Sequence, residues 1–181
     1  MDTRSGFRIP SITPVLVLLA MAAVLWPIGS GADEGEQRLD GSWSVTVTAT
    51  SPPLAPFSSL MTFTRGGGVV ESRRLYLPDS PFGPLLETPG HGEWVRTGSR
   101  EFTIGFTFLL QGAPDNLGAA GDLLGTDNIM MRIKLAASGE TFNGEFRSEI
   151  RDLDDNLVFV AEGDVDASRI RTQPCPWPVS D

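Results

Sequence analysis

From residue 40 onward the apolar residues recur at every second position, and no long stretch keeps a helical period of 3.6. Trp43, Val45, Val47 and Ala49 alternate with Ser and Thr, and Met61 and Phe63 follow in a second run at 57–64. Further runs cover 69–77, 92–98 and 101–111, the last with Phe102, Ile104, Phe106 and Phe108 on one side. A sixth sets Ile129, Met131, Ile133 and Leu135 opposite Met130, Arg132 and Lys134. The seventh sets Phe142, Gly144, Phe146 and Ile150 opposite Glu145, Arg147, Glu149 and Arg151. The eighth places Leu157, Phe159, Ala161, Val165 and Ala167 on one face. Alternation of this kind marks strands with one face to a core and one to water. Residues 117–124 come nearest to a helix, but Gly118, Gly121 and Gly125 disfavour it. Without crossover helices the sheet is antiparallel, so eight successive strands imply an up-and-down barrel or a sandwich.

Connection lengths choose between these. Residues 65–68, 97–100 and 137–140 are tight, Gly-containing turns, whereas 51–56, 78–91 and 112–128 are long. Short and long connections alternate. In a meander, alternate connections lie at opposite ends, so the tight turns form a floor and the long loops a mouth, joined there by 152–156. The expected fold is therefore all-β, an eight-stranded antiparallel up-and-down barrel.

Gly41-Ser42-Trp43 opens the first strand and Arg169 closes the last, both at the floor. This G-x-W with a terminal Arg, separated by eight strands, resembles the calycin superfamily of lipocalin-like barrels over about residues 38–171. The resemblance implies that Trp43 plugs the floor and that Arg169 packs across its ring. The chain departs from classical lipocalins in lacking a pair of cysteines and a clear helix after the last strand. Barrels similar to allene oxide cyclase are a weaker likeness, and some of those are cyclases.

Inward phases nominate a lumen of Val45, Val47, Met61, Phe63, Phe106, Phe108, Met131, Phe146 and Phe159. It reads either as an apolar ligand cavity or as a core filled by its own side chains. Gly144, Ala161 and Gly163 on inward positions suggest room. Phe82, Leu85 and Leu86 in the 78–91 loop read as a lid or a plug at the rim, and Trp94 lies on an inward phase with Arg96. Either phase of the third run turns at least one Arg inward, so Glu71 with Arg73 or Arg96 forms a candidate buried ion pair. Such groups orient a polar ligand head or polarise a carbonyl; a twisted strand would instead release them to water. Tyr76 and His91, expected near the rim, complete the catalytic candidates; His91 is also an ordinary loop residue. Residues 152–156 lack the central Gly and distal Glu of a calcium loop and read as a turn.

The flanks carry an address. Arg4 and Arg8, an apolar run at 14–26, and small residues at 29–32 read as an export signal cleaved after Ala32, with an uncleaved anchor as the alternative. The expected division is a signal at 1–32, a barrel at 33–171 and a Pro-rich tail at 172–181 holding Cys175, either idle or available for an intermolecular disulfide. The product would be secreted or periplasmic, with no stable membrane span after cleavage. One His and one Cys among 181 residues exclude a disulfide framework and a zinc finger, and no metal or cofactor is implied. A net charge of -9 without a basic patch repels nucleic acid. No G-x-S-x-G motif supports a serine hydrolase. The reading is an exported barrel that binds a small hydrophobic molecule through the long-loop mouth. The alternatives are an isomerase or cyclase acting on a hydrophobic substrate, and a structural or partner-binding domain with a filled core.

Overall fold

A computed structural model describes residues 38–78 and 80–173. The expected export signal and Cys175 lie outside the described residues. The strands are β1 (Gly41–Ser51), β2 (Phe57–Phe63), β3 (Gly68–Arg73), β4 (Tyr76–Leu77), β5 (Leu85–Glu87), β6 (Gly90–Arg96), β7 (Glu101–Gly112), β8 (Leu123–Leu135), β9 (Thr141–Asp152) and β10 (Leu157–Arg169). Among the described residues there is no helix. All named strand pairings are antiparallel. Pairing of β1 with both β2 and β10, and of β7 with both β6 and β8, closes the sheet. The result is an eight-stranded barrel, and closure leaves it without the free edges of an open sheet.

Two of the eight staves are interrupted. β3 and β4 form one bent stave, and β5 and β6 form the next. Leu85 pairs with Gly112 and Arg96 with Phe102, so residues 85–96 run along β7 with one extra residue near Thr88 and Pro89. Proline lacks the N–H a ladder needs. Thr88 bridges the gap: its N–H donates to the Leu109 carbonyl, and its hydroxyl accepts from the Leu109 N–H. The expected loop at 78–91 is therefore only 78–84, and β8 begins at Leu123, shortening the loop at 112–128 to 113–122. Both segments looked like loops because their Pro, Gly and polar residues mask a pairing made with distant strands.

The floor is built around Trp43. Its ring is fully buried, its Nε1 donates to the Leu39 carbonyl at 2.9 Å, and it packs on Phe142 at 4.9 Å. Arg169 lies opposite Trp43 in the β1–β10 ladder, with its guanidinium carbon 4.3 Å from the ring centroid. It donates to the carbonyls of Arg38 at 2.6 Å, Asp40 at 2.7 Å and Gly139 at 3.0 Å. One side chain thus ties the entering chain, the last strand and a floor turn. Gly41 has a φ of +127°, and a Cβ there would come within 2.6 Å of Arg169 Nη1, which explains the glycine of G-x-W. Gly144 and Gly163 do not supply room for a ligand. A Cβ at Gly144 would meet the Arg132 carbonyl oxygen at 2.1 Å, and one at Gly163 that of Thr48 at 2.0 Å. These glycines permit close approach of neighbouring strands where the sheet coils.

Trp43→Ala is expected to cost about 3–5 kcal/mol, because a large ring leaves a cavity the closed sheet cannot collapse around. Arg169→Ala is expected to cost about 2–3 kcal/mol through lost carbonyl bonds and ring contact. Denaturant midpoints of the two variants check this; unmoved midpoints contradict the floor assignment.

Candidate functional site

Above the floor the inward-facing positions change character. On β3 the alternation puts Val69, Glu71 and Arg73 inside and Val70, Ser72 and Arg74 outside. On β2 it puts Ser59 inside with Met61 and Phe63; on β8, Asp127 with Ile129 and Met131; on β9, Ser148 with Phe146 and Ile150. β5 contributes Glu87. Glu71, Glu87 and Asp127 retain only 2%, 3% and 3% of their surface. Three carboxylates and one guanidinium therefore share the upper lumen.

Arg73 is the centre of this group. Nε donates to Glu87 Oε2 at 2.8 Å, and Nη2 donates to Glu87 Oε1 at 2.7 Å and to Asp127 Oδ2 at 2.8 Å. Its guanidinium carbon lies 4.2 Å from the Phe108 ring centroid and 5.5 Å from that of Phe57. The planar cation is thus sandwiched by π faces while its edge is satisfied by carboxylates. Ser148 Oγ donates to Asp127 Oδ1 at 2.6 Å, and Ser59 Oγ donates to Glu71 Oε1. Glu71 Oε2 is buried and has no hydrogen-bond partner.

Burial pushes the Glu71 carboxyl above its ordinary value; the Ser59 hydroxyl and Arg73 pull it back only in part, and Glu87 and Asp127 add repulsion. Burial likewise raises Glu87 against the opposing pull of Arg73. For Arg73 burial opposes the charge, but the bonds to Glu87 and the nearby carboxylates outweigh it and hold the side chain more firmly protonated than usual. Among the described residues no group of three His, Cys, Asp or Glu is arranged to hold a metal.

Apolar layers enclose the charges. Toward the floor, Phe63, Phe102 and Phe142 join Trp43 and Trp94 in edge-on or tilted contacts with centroids 4.9–6.5 Å apart. Toward the mouth, Leu85, Leu110 and Ile150 are buried, with Leu77, Phe82, Leu124 and Phe159 packed against them. Phe82 comes from the 78–84 loop, which Asn116 fastens by donating to the carbonyls of Phe82 at 3.0 Å and Pro84 at 3.1 Å. Grooves of about 520 and 600 Å³ lie on the outer wall over β8, β9 and β10; none of the charged cluster lines them.

The expected site residues divide accordingly. Glu71 and Arg73 share the lumen but not the expected ion pair, since Arg73 bonds Glu87 and Asp127 and Glu71 bonds Ser59; Phe106 and Phe108 stack on each other, and Met61, Phe63, Met131 and Phe146 are buried in the core. Phe159 touches both apolar layers. Leu85 is fully buried at the rim, and Leu86, on the opposite parity, is half-buried and pairs with Tyr76 and Gln111. Trp94 sits at the floor end, its Nε1 donating to the Thr64 carbonyl at 3.1 Å. Tyr76 donates to Asp115 at 2.7 Å on the rim. His91 is exposed, in register with Val70 and Thr107. Arg96 is exposed at the tight-turn end, over Phe102 at 5.2 Å and bonded to the Ser99 carbonyl. The geometry does not bring Tyr76, His91 or Arg96 to Glu71 and Arg73. Glu87, Asp127, Ser59 and Ser148 join the site although they are not among the site residues expected from the sequence. Three of these lie on the inward parity of their strands, a signal available in the sequence; Glu87 follows a loop and carries none.

No family model matches the chain, and no curated protein does. The architecture is consistent with a calycin-like barrel in general.

The raised Glu71 carboxyl has a consequence for stability. It binds its proton more tightly folded than unfolded, so stability falls as pH rises from the ordinary carboxyl value of 4.5 through the native one. Glu71→Gln removes that loss. Its stability relative to the parent should therefore grow as pH rises above about 4.5, as read from denaturant midpoints. A difference that does not change with pH contradicts the burial argument.

Proposed function

We propose that this is an exported barrel of the calycin type that binds a small, largely apolar molecule in its upper lumen, entered past the 78–84 loop. The observation that carries the reading is the charged cluster buried beneath the rim, with Glu71 Oε2 left without a partner. A buried ion cluster is weak as a stabiliser, and replacing one by apolar side chains commonly leaves a protein as stable or more so. A cluster set in a barrel lumen, under an apolar cover, fits a polar anchor for a ligand. The packed aromatic floor confines such a ligand to the upper half, where Phe57, Phe106 and Phe108 form its walls. Export rests on the basic start, apolar run and small residues at 4–32.

A second reading is an isomerase or cyclase acting on a hydrophobic substrate. The observation favouring it is the Glu71 carboxyl, which burial biases toward its protonated form beside an aromatic wall. A proton donor in an enclosed lumen is what protonation of a polyene or an enol would use.

Phe82 is the cleanest probe of the mouth, because it is only half-buried whereas Leu85 is fully buried. Phe82→Ala should speed release of a bound apolar fluorophore about three- to tenfold while the strand signal in circular dichroism stays unchanged. Gly139→Ala, at the tight-turn end with a φ of +72°, should lower stability and leave release alone. Release unchanged by Phe82→Ala and altered by Gly139→Ala would reverse mouth and floor. Failure of any apolar probe to bind would refute the ligand reading.

A further inference from the structure

The lumen cluster holds more acceptors than donors. Glu71, Glu87 and Asp127 face a single cation, Arg73. Both Glu87 oxygens are taken by Arg73, and the Asp127 oxygens are taken by Arg73 and Ser148. Glu71 Oε1 accepts from Ser59, which leaves Oε2 buried and empty-handed. A carboxylate that has lost water and gained no donor is among the costlier groups a protein can hold. A proton on Glu71, carried on Oε1 and donated to Ser59 Oγ, would remove the charge but still leave Oε2 without a donor. A ligand that donates a hydrogen bond and brings a positive charge cures both.

We propose that the barrel's ligand is an organic monocation, a protonated amine on an apolar body, with its ammonium hydrogen-bonded to Glu71 Oε2. The inference rests on the ligand reading above and names the chemical class for that site. The surroundings suit this class. Phe108 and Phe57 already present π faces to the Arg73 guanidinium, and an ammonium beside them gains the same kind of attraction. The apolar body would lie toward the rim against Leu85, Leu110, Ile150 and Phe159, because packed rings close the way to the floor. A metal ion would need several oxygens from a cluster that offers one.

The test is a titration of decylamine, decanol and decanoate, followed by native mass spectrometry and calorimetry, on the parent and on Glu71→Gln. These probes share an alkyl chain and differ in the head. Decylamine should bind at least about tenfold more tightly than decanol, and decanoate more weakly than either. Glu71→Gln should bring decylamine down to the level of decanol while decanol binding changes little. Glu71→Met serves as a second variant should Gln disturb the fold, and the same loss is expected from it. Equal affinity for amine and alcohol, preference for decanoate, or decylamine binding that survives loss of Glu71 would each overturn the amine assignment and leave the ligand barrel standing. Binding of none of the three probes would overturn the ligand reading itself, and the amine assignment with it.

Discussion

Three carboxylates are tolerated inside this apolar barrel because one guanidinium lies among them. Arg73 bonds Glu87 on a neighbouring stave and Asp127 on β8, and it rests on Phe108 from β7. The bond to Asp127 crosses the lumen and links staves that no ladder pairs, whereas Glu87 lies on the adjacent stave, where its own N–H donates to the Leu75 carbonyl. Both bonds occur where the frame is most irregular. β3 gives way to β4 just beyond Arg73, and the extra residue of the next stave follows Glu87 directly. The charged group and the irregular staves belong together: the bend turns Arg73 and Glu87 toward each other at the level of Asp127.

The packing changes along the barrel axis. The floor is an apolar, aromatic-rich layer closed by Trp43 and clamped by Arg169, whose three carbonyl bonds join segments distant in sequence. The rim is a smaller apolar layer, partly built by the 78–84 loop and held by a few side-chain bonds such as those of Asn116. A rim with fewer buried contacts opens at lower free energy than the floor. The buried charges sit between, and a buried ion cluster of this kind is a weak stabiliser.

The sequence made the barrel legible because each strand repeats one simple pattern. Alternation over β1, β7, β9 and β10, and the unequal connections between them, sufficed for strand number, direction and ends. Parity also placed Glu71 and Arg73 on one face, and the same parity, carried back along β8 and β9, includes Asp127 and Ser148. Those were passed over because a polar residue amid polar neighbours looks like the end of a strand. Glu87 was hidden by Pro89 and Gly90, which punctuate its stave although pairing with β7 continues on both sides. Gly144 and Gly163 misled in another way: a missing side chain on an inward phase suggests space, but here it lets two backbones meet. Arg96 shares the inward parity of Trp94, yet at the strand end it reaches past the floor into water.

On the proposed function, the charged cluster is retained for binding rather than for folding. The most direct measurement is the denaturant stability of a variant carrying Glu71→Met, Arg73→Met, Glu87→Met and Asp127→Val together, set beside Arg73→Met alone. The single change strands buried carboxylates and should cost about 3–5 kcal/mol. The fourfold change removes every buried charge, so stability should return to the parent level or exceed it by about 1–4 kcal/mol, with ligand binding gone. A fourfold variant that falls as far as the single one would contradict the account, because the cluster would then be holding the barrel together.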